Sequence, residues 1–181
     1  MTRRKILLTS ALGFAVALAI SLAAQPPALA IGPDQEQAEL VNALSGVKVS
    51  LQQGFSASER EGLPISGKFE IDEGKVQLSV YTVKEGKFFE VVVDPMTGTI
   101  AKVEPITEGD DLAHAKAQKA AMDRAKVKLA DAANKAKGQD KGEAADVAVV
   151  SVMPELKDDR PEATILLLQG KKFSTASERL D

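Results

Sequence analysis

The chain predicts an α+β domain: a helix packed on an antiparallel β-meander, with the same helix-then-meander order repeated in degenerate form. Three observations carry this. Glycine-bearing turns at regular spacing divide residues 65–104 into four short segments of alternating hydrophobicity. The alternation stays in phase across the turns, as a sheet with one buried face requires. A run rich in Ala, Lys and Asp then separates this block from a second set of strand-like segments.

The first thirty residues stand apart. Arg3, Arg4 and Lys5 precede an uncharged run from Ile6 to Ala24, then Pro26-Pro27, then Ala28-Leu29-Ala30. A basic start, an apolar centre and an A-x-A exit make a secretory signal peptide, with cleavage expected between Ala30 and Ile31. The run is also just long enough to span a bilayer, so an uncleaved anchor is the alternative. The small-residue exit favours cleavage, and no stable membrane insertion is expected afterwards. The basic pair brushes against a twin-arginine signal, which leaves the export route open. The expected location is the periplasm, with the extracellular space as the alternative.

The remainder, 31–181, suits one compact domain or two small modules, here placed at 31–106 and 107–181. Cleavage takes the net charge from −3 to −6, because three basic residues leave with the signal. An acidic chain without a basic cluster is a poor binder of nucleic acid. There is no cysteine, so neither a disulfide nor a lipidated thiol is available, and stability rests on the core. With no Trp and one Tyr, that core is aliphatic.

In the first module, Asp34 with Gln37 reads as a capping box. Ala38, Val41 and Leu44 follow at helical spacing, and Gly46 is the expected stop. A short strand is expected at Val47–Leu51 and a loop at Gln52–Pro64, which is rich in Gly, Ser and charge. Turns at Glu73-Gly74, Glu85-Gly86 and Asp94-Pro95-Met96-Thr97-Gly98 delimit strands Ile65–Asp72, Lys75–Lys84, Lys87–Asp94 and Thr99–Glu104. Two-residue loops set Ile71 opposite Val76, Phe69 opposite Leu78, Leu78 opposite Val93 and Val80 opposite Val91, all on one face with Phe89. The other face carries Tyr81, Val83, Phe88 and Val92 among Lys68, Glu70, Gln77, Ser79 and Glu90. That apolar group is either covered by the second half of the chain or is a binding patch. Cover is favoured, because the second half needs a surface to pack on.

The second module opens with one long helix, Asp110 to about Lys137, acidic at its start, with Lys135 and Lys137 at its end and Gly138 as the stop. Ala115, Met122, Ala125, Leu129, Ala132 and Ala136 form its apolar stripe. Strands are expected at Val147–Met153, Thr164–Leu168 and Lys172–Ser177, with Pro154–Pro161 as a charged connection.

The segment Lys84-Glu85-Gly86-Lys87-Phe88-Phe89-Glu90-Val91-Val92-Val93-Asp94, followed by Thr97-Gly98-Thr99-Ile100, resembles the PepSY family (peptidase propeptide and YPEB domain). The shared pattern is a glycine turn, an aromatic-led strand, an acidic residue, then T-G and a closing strand. The Ala-rich helix Asp110–Lys126 resembles the helix that opens a PepSY module. The second module departs most from the pattern, since no T-G turn follows Leu168. The resemblance implies an extracytoplasmic α+β module that holds or inhibits a peptidase, or serves as a sensor or assembly element of the envelope. It brings no catalytic residue and no cofactor.

The residues agree with that implication. His114 has Asp110 four positions back, but no Ser in a nucleophile-elbow context accompanies it, so an exposed helical His is expected. Asp110-Asp111 and Asp158-Asp159 are adjacent acids whose side chains diverge. No phosphate-binding glycine loop occurs, and one His with no Cys gives no metal set. The expected function is therefore an exported, non-enzymatic binding or regulatory module whose partner is an unidentified envelope protein. The alternative is a small-ligand carrier with a pocket between helix and sheet, lined by Phe69, Leu78 and Phe89.

Overall fold

The computed structural model describes residues 33–139 and 147–181; the predicted signal and its cleavage site (Ala28, Ala30, Ile31) lie outside the described residues. The first meander forms where turns and alternation place it: β1 (Leu63–Asp72), β2 (Lys75–Lys84), β3 (Lys87–Val93) and β4 (Ile100–Ile106). Both hairpin loops have two left-handed residues, Glu73 and Gly74 (φ 50° and 74°) and Glu85 and Gly86 (φ 53° and 76°), the combination whose twist matches that of the flanking strands. The register is the one expected: Ile71 faces Val76, Phe69 faces Leu78, and Leu78 and Val80 face Val93 and Val91.

Upstream lie α1 (Pro33–Leu44) and α2 (Leu51–Ser58). Proline opens α1, where its missing N–H costs nothing. The second helix corrects the sequence reading, which placed a strand and then a loop here. The Ser50 hydroxyl accepts the Gln53 N–H, and the Gln53 side chain accepts the Ser50 N–H. This closed box starts a helix despite a Gly- and Ser-rich composition. Leu51, Gly54, Phe55 and Ser58 form its buried face, at helical spacing. The approach to the sheet is close. A Cβ on Gly54 would lie 2.6 Å from Leu78 Cδ2, and one on Gly67 would lie 2.6 Å from Phe55 Cε1.

The expected long helix is two: α3 (Gly109–Met122) and α4 (Leu129–Gln139). No Gly or Pro separates them. Packing breaks the run, because the two helices lie on opposite faces of one sheet. Ala115 of α3 packs with Ile65 and Phe88, whereas Leu129, Ala132, Ala133 and Ala136 of α4 join the core that holds Leu78, Val80 and Val91. The chain must pass around the end of the strands between them. There the Lys126 and Val127 N–H groups donate to the Leu180 carbonyl at 2.6 and 3.0 Å, replacing helical partners.

The second meander is β5 (Val147–Lys157), β6 (Arg160–Gln169) and β7 (Lys172–Arg179). The predicted connection Pro154–Pro161 is instead a hairpin, with Asp158 and Asp159 left-handed at its tip (φ 48° and 64°). Strand order is β4-β3-β2-β1-β5-β6-β7, antiparallel throughout. The two predicted modules thus share one sheet. They meet through only two residue pairs, Gly67 with Val152 and Lys68 with Ser151. Pro154, which has no N–H, sits just beyond the point where β1 stops pairing.

A common core joins the halves: Leu51, Phe55, Leu78 and Val91 with Leu129, Val152, Ile165 and Leu167. Burying one such side chain contributes about 1.5–3 kcal/mol. The exposed ion pair that crosses between them, Lys128–Glu59 at 3.7 Å, contributes about 0–1 kcal/mol, so packing rather than charge unites the halves.

Candidate functional site

Tyr81, Val83, Phe88 and Val92 of the second sheet face do not form one open patch. Phe88 is buried against Ile65 and Ala115, and Tyr81, Val83, Ile106 and Leu112 pack around it. Helix α3 provides that cover. It is fastened at both ends of its contact: the Tyr81 hydroxyl donates to Asp111 at 2.9 Å, and Ser66 donates to Gln118 at 2.7 Å. Burial, and then the bond to Asp111, push the Tyr81 phenol well above its ordinary range. Val92 lies outside this cluster and is half-buried in the polar part of the face.

The carrier pocket between helix and sheet is filled at its expected centre. Leu78 is wholly buried and Phe69 nearly so, and Gly54 leaves no space above Leu78. His114 is exposed on α3, and Asp110 is exposed one turn earlier. Among the described residues no group of three His, Cys, Asp or Glu could hold a metal ion, and no helix is long and apolar enough to cross a membrane.

Two further surfaces lie outside these positions. The first is the pair of sheet edges. Strand β4 is exposed from Ala101 to Pro105, but it carries the Lys102–Glu104 ion pair and a proline. Charges and proline blunt an edge against further pairing. Strand β7 differs. Its centre, Phe173 to Ser177, has no charge and no proline, and Thr175 and Ser177 are exposed. It pairs with β6 on one side, and among the described residues no strand pairs with its other side. The expected end at Ser177 gave only part of this element.

The second surface is a groove of about 240 Å³ at the start of β1, lined by Phe55, Leu63, Pro64, Met122 and Leu129, with Glu59 and Lys128 at its mouth. Leu63 is 54% exposed there. The signal for Phe55 and Leu129 was apolar spacing on α2 and α4. Their convergence was not visible, because it depends on the chain crossing from one face to the other. No family model, no curated protein and no solved structure matches the chain.

Proposed function

We propose that the protein is an exported, non-enzymatic, PepSY-like binding and regulatory module of the cell envelope that engages another envelope protein without a cofactor. The observation that carries this reading is the β7 edge, uncharged at its centre and paired on one side among the described residues. Such an edge suits β-augmentation, in which backbone hydrogen bonds from an added strand supply affinity. The blunted β4 edge makes the surface one-sided. Capture and inhibition of a peptidase is the finer form of this reading, drawn from the PepSY resemblance of Lys84–Asp94 and Thr97–Ile100.

The test uses the chain as bait in envelope extract, with Thr175→Pro and Ala176→Pro as variants. Neighbouring N–H groups alternate between β6 and the outer side, so one proline removes a bond only from an added strand. That variant is expected to lose the captured protein while its thermal midpoint holds. Background capture by the unaltered chain, or capture that neither proline weakens, would count against the reading.

A further inference from the structure

We infer that the cleft beneath the end of α1 binds a single-chain fatty acid, a ligand independent of any strand added at β7. Two hollows meet there, with Leu44 and Ala148 in the wall of both. One holds about 260 Å³ and the other about 630 Å³. The larger alone falls within the roughly 300–1,000 Å³ of small-molecule sites. Packing is unfinished at this end of α1, where Val41, Leu44 and Val47 are only half-buried. With Val149 and Leu168 they make apolar walls that an incoming hydrocarbon would cover.

Charge selects the head group. Lys48 and Lys137 line the smaller hollow, and among the described residues no carboxylate lines either one. No described carboxylate pairs with Lys48 or Lys137. The Lys48 and Val49 N–H groups both donate to the Pro95 carbonyl at 3.1 Å, which fixes the backbone that carries the first lysine; the second belongs to the last turn of α4. A chain of net charge −3 thus brings two uncompensated cations to one apolar hollow, and these favour an anion. Polarity selects the tail. Ser45 donates to the Asn42 carbonyl at 2.6 Å, Ser50 caps α2, and Gln52 donates to Asn134 at 2.9 Å. Engaged in this way, these wall residues leave little for a peptide backbone, whose buried N–H and C=O groups need partners. A hydrocarbon has no such need. The carboxylate sits between Lys48 and Lys137, and the tail passes Leu44 and Ala148 to lie along Val41 and Leu168. Lys171 lines the far hollow, where its stem covers apolar wall and its ammonium stays in water.

The probe is dodecanoate, titrated below its micellar concentration into the full chain by calorimetry. It is expected to saturate, whereas acetate and dodecyltrimethylammonium bind about tenfold more weakly or worse. Lys48→Glu and Lys137→Glu should each weaken dodecanoate by about tenfold and strengthen the ammonium compound, with the thermal midpoint held because neither lysine sits in an ion pair. Lys171→Glu, at the tail end, should leave dodecanoate affinity within about twofold. Leu44→Asp sets a charge in the path of the tail and should abolish binding; should that variant not fold, the two lysine variants decide. The inference is overturned by equal binding of the two head groups, by binding that survives both lysine variants, or by Lys171→Glu acting as strongly as Lys48→Glu. Absence of saturable binding overturns it as well. The β7 prolines lie outside the cleft and should leave dodecanoate binding unchanged. Loss of ligand with capture from extract intact therefore removes this inference alone, and background capture with ligand bound removes the strand-partner reading alone.

Discussion

The Tyr81 hydroxyl ties strand β2 to the first turn of α3 through Asp111. A phenol held neutral by burial and by this bond titrates above its ordinary value of 10.0. The sign follows from linkage: a raised folded value means stability that is fully present below pH 10 and lost as pH climbs through the folded value. The chain has one tyrosine, so tyrosinate absorbance reports this group alone. The native titration should lie well above that of the chain in denaturant, and Tyr81→Phe should flatten the alkaline loss of stability. Coincident native and denatured titrations would show that α3 does not cover this face. At this scale the face of Tyr81 was legible from β-alternation. Its partner was not, because Asp111 lies 30 residues away in sequence. Asp94 shows the opposite case. Its carboxylate accepts the Met96 and Thr97 N–H groups, which hold it below the usual range, and that local turn was legible from Asp-Pro-x-x-Gly.

Among the elements, hairpins were legible and helix boundaries were not. Both two-residue turns impose register locally, whereas α2 was hidden by a composition that resembles a loop. Its signal was present in Ser50 with Gln53 and in the spacing of Leu51 and Phe55. The break between α3 and α4 has no local signal, because residues 123–128 contain neither Gly nor Pro. It exists because the chain rounds the sheet and docks on Leu180. Leu180 is wholly buried in the main core. Leu180→Ala should therefore cost about 2–5 kcal/mol, read as a shift in the urea midpoint at constant slope. A loss below about 1 kcal/mol would mean that the crossing is held by something else.

On the scale of the whole molecule, the expected division at residue 106 corresponds to a change of meander, not to separate cores. Strand order places the first strands of the two meanders side by side, and α2 and α4 lie on the same face above them. Periodicity shows which residues are buried but not which distant residues bury them, so a shared core and two separate cores leave the same trace in sequence. Fragments 31–106 and 107–181, made separately, should each lack a cooperative urea transition by circular dichroism, while the intact chain unfolds in one step. A fragment with a sharp transition of its own would show that the shared core is not required.

The ladder between β1 and β5 has two rungs, where every other adjoining pair of strands has at least six. Interior strands of a sheet ordinarily surrender their amide protons last. Here the thinnest backbone seam runs down the middle of the molecule, and the side chains of the shared core bridge it as a splint bridges a joint. The two panels therefore hold or let go together.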